Sequence, residues 1–243
     1  MFFRKSSSFF DGTGGGATEA RVPAAYARQV LWLPGIGDIF ADFSADSTFG
    51  RFEFHDWAKG QWTVVFGHPQ ANSAVCATEI AEFAAAQDDF DRRNVRLLGV
   101  TQSDIQTESA WIADIEGTFD VSVVFPVVAD EGGKLARLMG MFHPNSVRPL
   151  PVRKTFILDE TMRIRAIFEY PNAIGRSTHE ILRVIDGMQI VDRDGLYAPA
   201  NWEPGNTMVV PPTMSDEEAE TGFAGRWLRV NAYLRTAVPG RRR

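Results

Sequence analysis

Short apolar runs alternate with helical patterns along the middle of this chain, and that alternation restricts the fold more than any other feature. WTVVF, residues 62–66, is a buried-strand run ended by Gly67 and Pro69. Ile80, Phe83, Ala84 and Phe90 then recur at spacings that place them on one helical face. VRLLGVT (95–101) predicts a second buried strand, and SAWIADIE (109–116) a helix. SVVFPVVAD (122–130) predicts a strand whose proline calls for an edge or terminal position. KLARLMGM is a short helix, and VRKTFILD and MRIRAIFEY form a hairpin turning at Glu160 and Thr161. Ser177 opens the next helix, with Glu180 three residues on in a capping-box pattern. Its apolar face is Ile181, Leu182, Ile185 and Met188.

The order β-α-β-α-β-α-β-β-α predicts an α/β fold with a mainly parallel central sheet covered on both faces. The closing hairpin makes the sheet mixed, which is the thioredoxin-like arrangement. Three segments follow. Residues 1–34, with the run GTGGGAT, are expected to be a flexible extension. Residues 35–189 carry the thioredoxin-like domain. Residues 190–243 are too few for a compact domain of their own. They are expected to form a C-terminal extension, an arm packed on this domain or on a second subunit.

Composition narrows the function. A net charge of -6 and a pI near 5.3 argue against a nucleic-acid partner, and the terminal Arg241, Arg242 and Arg243 are read as a solvated tail. No apolar run approaches the roughly 18 residues of a membrane span. MFFRKSSSFF is too short and serine-interrupted for a secretory signal, and Asp11 and Glu19 come early for a transit peptide. One cysteine excludes an intrachain disulfide and a cysteine-built zinc site. A lone thiol points to a reducing compartment, and the expectation is a cytoplasmic protein.

That cysteine, Cys76, lies in HPQANSAVCATE (68–79), after a strand and a proline-containing loop, at the start of an amphipathic helix. Ser73 in the N-cap position places Cys76 in the first turn, where free N–H groups and the positive helix end favour a thiolate. A lone cysteine is ordinarily an inert buried thiol. Pro69, Ser73 and Cys76 together change that reading. Pro69 can shield the sulfur, and the Ser73 hydroxyl can donate to and accept from a peroxide oxygen.

Pro69, Ser73 and Cys76 match Pro-x-x-x-Thr/Ser-x-x-Cys, and FGHPQANSAVCATE resembles the one-cysteine peroxiredoxins, which read close to FSHPxxFTPVCTTE. Ser73 replaces the usual Thr, Asn72 the usual Phe, and Ala74 the usual Pro. FHDWAKGQW, PVRKTFILDE, YPNAIGRSTHEILRVIDGMQ and NWEPGNTMVVPP resemble further stretches in the same order, from about Gly37 onward. The resemblance implies a thiol peroxidase acting on hydrogen peroxide and organic hydroperoxides through a sulfenic acid on Cys76. It implies catalytic roles for Ser73, Arg153 and Pro69, and supporting roles for Glu79, Arg176 and His68. No cofactor or metal is implied. The partners are an external thiol (glutathione, a thioredoxin-like protein or another reductant) and a second copy of the chain, as a homodimer or a larger ring. Arg163 and Arg165 are read as surface charges.

Three rivals remain at this point. Some one-cysteine peroxiredoxins are also phospholipases, using a serine in GDSWG with a His and an Asp. Here His55 matches the His, but Gln61 stands in the serine position and Thr161 in that of the Asp, and Gln61 cannot be a nucleophile. A redox-regulated, chaperone-like oligomer would use the aromatic C-terminal arm. A disulfide reductase would need a second thiol, which Cys76-Ala77-Thr78-Glu79 lacks.

Overall fold

The computed structural model describes residues 33–142 and 151–240. The expected flexible extension therefore lies almost wholly outside the described residues. In chain order the elements are β1 Ser44–Ser47, β2 Gly50–Glu53, α1 Phe54–Ala58, β3 Trp62–Gly67, α2 Ala74–Ala85, α3 Gln87–Asp91, β4 Val95–Thr101, α4 Ile105–Phe119, β5 Val127–Ala129, α5 Lys134–Leu138, β6 Arg153–Leu158, β7 Ile164–Tyr170 and α6 Thr178–Asp194. β8 Met208–Val209, α7 Asp216–Phe223, β9 Trp227–Arg229 and β10 Arg235–Ala237 follow.

The central sheet runs β2-β1-β5-β4-β3-β6-β7. β3, β4 and β5 are parallel, and the other pairings are antiparallel. The sheet is mixed and thioredoxin-like as expected, but not mainly parallel. Two of its six pairings are parallel, because the β1–β2 hairpin adds antiparallel strands at the other edge as well. Successive strand residues face opposite sides, and two cores result. Val64, Phe66 and Leu97 pack with Ile80 and Phe83 of α2, Ile115 of α4 and Ile185 of α6. Val65, Leu98 and Phe156 pack on the other face with Phe54 of α1 and Ala136 beside Met139 at the end of α5. Each fully buried side chain of this size contributes about 1.5–3 kcal/mol.

Local signals explain most boundaries. Asp104 caps α4, its carboxylate accepting from Thr107 N at 2.8 Å, so this helix starts before the span expected from sequence. Ser177 accepts from Glu180 N and caps α6. The hairpin turn falls where expected, with Asp159 Oδ1 accepting from the backbone N–H groups of Thr161 and Arg163.

The proline of SVVFPVVAD takes the terminal alternative: Pro126 directly precedes β5, which is not an edge because β1 pairs with it at Ser47 and Val128. The β1–β2 hairpin was not anticipated, since SADS and GRFE carry no apolar alternation. Arg165, expected as a surface charge, is half-buried and paired. Its Nη1 and Nη2 donate to Asp192 at 2.7 Å each, and its guanidinium lies 5.3 Å from the Trp62 ring centroid.

Beyond α6, a third apolar cluster gathers Leu196, Trp202, Met208 and Phe223, with Ile190 and Val191 of α6 against it. Arg183 Nη1 donates to the Trp202 carbonyl at 2.9 Å. The C-terminal extension is thus seated on the last helix of the central domain.

Candidate active site

β3 delivers the chain to the site and must end close to another segment. A Cβ on Gly67 would stand 1.9 Å from Met141 Cε, so a larger residue there would require the Met141 side chain to move. The loop His68–Ser73 then turns into α2. Asn72 takes the left-handed conformation at φ 58°, which asparagine tolerates better than most residues. Ser73 occupies the N-cap with extended backbone, and its carbonyl accepts from Ala77 N at 2.9 Å. Its side chain makes no capping hydrogen bond, contrary to the usual use of serine here, and the half-buried hydroxyl is left for another partner. Pro69 is buried in the same loop.

Cys76 is the third residue of α2 and is 0% exposed. β6 runs antiparallel to β3 with Thr155 opposite Phe66, so Arg153, two residues earlier, lies beside the loop that leaves β3. Arg153 Nη1 donates to Cys76 Sγ at 3.2 Å. The same nitrogen donates to Glu79 Oε2 at 2.5 Å, while Nε and Nη2 donate to the Asn172 carbonyl at 3.1 and 2.9 Å.

Glu79 follows Cys76 on α2 and is saturated. Its Oε1 accepts from Arg176 N at 2.7 Å and Nε at 2.8 Å, and its Oε2 accepts from Arg176 Nη2 at 2.7 Å as well as from Arg153. These four bonds fill the roughly four acceptor sites of a carboxylate. Burial by itself would raise the Glu79 carboxyl, but the hydrogen bonds and charge of Arg176, with the charge of Arg153, outweigh it and hold Glu79 below its usual 4.5. Arg176 Nη1 also donates to the Gly67 carbonyl at 3.0 Å and to Thr155 Oγ1 at 3.1 Å. Its guanidinium lies over Phe66 and Phe83, 5.4 and 5.9 Å from their centroids.

The structure therefore joins Cys76, Glu79, Arg153 and Arg176 by direct hydrogen bonds and sets Pro69 and Ser73 in the adjoining loop. His68 faces elsewhere. Its Nε2 is 2.9 Å from Glu108 Oε1 on α4, and its ring lies 6.0 Å from Trp111. Both side chains are 0% exposed. His68 Nδ1 and Glu108 Oε2 have no hydrogen-bond partner among the described residues, and each such buried group costs about 1–3 kcal/mol.

Sequence reasoning missed Glu108, Ser103 and Asn172. Ser103 Oγ accepts from Ala71 N at 2.8 Å and steadies the loop. Asn172 acts through its backbone carbonyl, for which no side-chain signal exists. Glu108 did have one: it stands at i with Trp111, Ile112 and Ile115 at i+3, i+4 and i+7, a charge on an apolar helical face.

The groups suggested for lipid hydrolysis are engaged separately. His55 Nε2 is 2.8 Å from the Phe40 carbonyl, Gln61 Nε2 donates to Asn94 Oδ1 at 2.6 Å, and Thr161 Oγ1 donates to Asp159 Oδ1 at 2.6 Å. A cavity of about 410 Å³, lined by Trp57, Gln61, Arg96 and Phe125 among others, lies at the N-terminal ends of β3 and β4, away from Cys76. Among the described residues there is no group of three or more His, Cys, Asp or Glu that could hold a metal ion, and no helix long and apolar enough to cross a membrane.

Residues 36–167 match the sequence model of the AhpC/TSA family, and residues 187–224 match that of the C-terminal domain of 1-Cys peroxiredoxin. The chain is 37% identical over 201 residues to "Peroxiredoxin PRX1, mitochondrial" of Saccharomyces cerevisiae, covering 80% of this chain and 77% of that protein. It is 35% identical over 201 residues to a probable 1-Cys peroxiredoxin of Syntrichia ruralis, covering 81% and 92%. In three dimensions it is similar to a yeast mitochondrial 1-Cys peroxiredoxin studied for thiol resolution via glutathione/thioredoxin systems. That likeness has a TM-score of 0.78 at 34% identity over 85% of this chain and 100% of that one. A cysteine-to-serine mutant of the peroxiredoxin 6 of Arenicola marina gives a TM-score of 0.80 at 33% identity, covering 85% and 98%.

Proposed function

The chain belongs to the AhpC/TSA family as a 1-Cys peroxiredoxin, a thiol-dependent peroxidase, and from that premise we propose that Cys76 is the residue peroxide oxidises. The observation that carries this reading is the 3.2 Å hydrogen bond from Arg153 Nη1 to a sulfur at the buried start of α2. Two guanidinium groups against the single Glu79 carboxylate leave one positive charge over, and a thiolate at Cys76 balances it.

The thiolate attacks one oxygen of the hydroperoxide, an S–O bond forms and the O–O bond breaks. Cys76 becomes sulfenic acid, and the other oxygen leaves and takes a proton, as water from hydrogen peroxide or as an alcohol from an organic hydroperoxide. Arg153 and the Ser73 hydroxyl stabilise the charge that grows on the leaving oxygen, and Pro69 keeps water from the sulfur. Glu79 and Arg176 hold Arg153 in position.

Resolution uses a thiol from outside the chain, since Cys76 is its one cysteine. That thiol condenses with the sulfenic acid, releasing water and leaving a mixed disulfide. A second thiol attacks the disulfide and frees Cys76. Glutathione or a thioredoxin-like protein is the proposed reductant, a reading supported by the subject of the yeast structure. The proposed assembly is a homodimer to which the C-terminal extension contributes. The proposed compartment is the cytoplasm, whose reducing poise keeps a lone thiol available.

Stopped-flow peroxide consumption followed by intact mass tests the central claim. The parent protein should gain one oxygen at Cys76 and lose it on addition of thiol. Cys76→Ser should consume no peroxide, and rapid turnover by that variant would end the proposal.

A further inference from the structure

Cys76 is 0% exposed, yet an external thiol must bring its sulfur to about 2.05 Å from it to form the mixed disulfide. The packing around the sulfur must therefore open in each cycle. Ala71 of the loop after β3 shares the buried cluster of Cys76, and whatever ties that loop down governs how readily it moves. Three hydrogen bonds tie the loop after β3 to β4, to the turn that follows it and to α4. His68 N donates to the Val100 carbonyl at 2.9 Å, Ala71 N donates to Ser103 Oγ at 2.8 Å, and the His68 ring meets Glu108 Oε1 at 2.9 Å.

The third tie differs from the others. It is a side-chain pair with both members 0% exposed, and it is incompletely satisfied, His68 Nδ1 and Glu108 Oε2 lacking partners among the described residues. In the closed state those two atoms have no partner among the described residues and no contact with bulk water. Opening the loop admits water to both, so the hydrogen bonds gained on opening offset part of the one lost. The backbone tie at Val100 has no such compensation.

Resting on the reading of Cys76 as the oxidised residue, we propose that Glu108 is a positioning residue: through His68 it holds the β3–α2 loop closed over Cys76, and its bond to His68 is the point at which the loop releases to admit the reducing thiol. Glu108 touches neither the sulfur nor its arginine. It acts on the balance between the closed form, in which Cys76 is buried against Arg153, and more open forms. A small excursion admits hydrogen peroxide to the sulfur still aligned with Arg153, and full release of the loop admits larger reagents at the expense of that alignment.

The test uses the full chain and two rates: oxidation of reduced Cys76 by hydrogen peroxide, and its alkylation by iodoacetamide. Glu108→Ala should slow oxidation and speed alkylation, the two fold-changes multiplying to about tenfold or more, the size expected when one buried hydrogen bond is removed. Glu108→Gln, which keeps an acceptor within reach of His68 Nε2, should return both rates to near the parent values. If Glu108→Ala does not fold, Glu108→Asp, too short to reach His68, carries the same expectation. Rates that stay unchanged, rates that move in the same direction, or a Gln variant no better than the Ala variant would each overturn the proposal. Failure of the parent to take up oxygen at Cys76 would instead overturn the reading of the site, and the alkylation rates would still decide the role of Glu108.

Discussion

Two buried glutamates flank the loop that carries Pro69 and Ser73, and they are held in opposite ways. Glu79, on α2, accepts four hydrogen bonds from two arginines. Glu108, on α4, is bonded through one oxygen to His68, and the other oxygen has no hydrogen-bond partner among the described residues. A carboxylate with every acceptor site filled has nothing to gain from water and fixes its neighbours. A carboxylate with one site empty is already partly in deficit when buried. The frame around the Arg153 guanidinium is thus rigid on the α2 side, and the loop is releasable on the α4 side.

The sharpest way to break this comparison is to delete each carboxylate and measure stability by urea unfolding. Glu79→Ala leaves the buried Arg176 without its counter-charge and Arg153 with only the Cys76 sulfur against it, and should cost about 3–5 kcal/mol. Glu108→Ala should cost about 1–3 kcal/mol. A reversal of that order would mean that saturation does not distinguish the two.

Next in size is Arg153→Lys. An ammonium cannot present the planar fork that reaches the Asn172 carbonyl, Glu79 and the sulfur together. With one aimed donor lost, kcat/KM for hydrogen peroxide should fall about 100-fold. Arg176 still fills three of the four acceptor sites on Glu79, so the thermal midpoint should move far less than in Glu79→Ala.

Acid provides a subtler separation. The folded state holds Glu79 below its usual 4.5, so between those two values the unfolded chain binds more protons. The stability this supplies is complete above 4.5 and is lost as pH falls through the lowered folded value. The gap in urea midpoint between the parent and Glu79→Gln should therefore be constant above 4.5 and shrink below it. A gap that survives strong acidification would show that the contribution of Glu79 is not electrostatic.

What the sequence disclosed follows the same division. The strands WTVVF and VRLLGVT announce themselves because both faces of the central sheet are covered, which leaves nearly unbroken apolar runs. Pro69, Ser73 and Cys76 are legible because one loop carries all three. Arg153, Arg176 and Glu79 meet across 74 and 97 residues of chain, a separation without local periodicity, and only family resemblance pointed to them. The β1–β2 hairpin stayed hidden because its strands are polar. Glu108 was visible in principle. It fell just outside the helix drawn over 109–116, and the Asp104 cap that extends α4 back to Ile105 would have placed it on the buried face.

The smallest predicted effect asks how far saturation reaches from Glu79. Arg176 keeps its grip on that carboxylate partly because its remaining nitrogen, Nη1, is also engaged, by the Gly67 carbonyl and Thr155 Oγ1. Thr155→Val keeps the shape of the buried side chain and removes that acceptor alone. Since the Gly67 carbonyl still accepts from the same nitrogen, the loss should be about 1 kcal/mol in urea unfolding. Peroxide kinetics should change little, because neither the Arg153 fork nor the His68–Glu108 bond is touched. If Thr155→Val instead accelerates alkylation of Cys76 as strongly as Glu108→Ala, the two sides of the site are coupled, and the division into a rigid frame and a releasable loop fails.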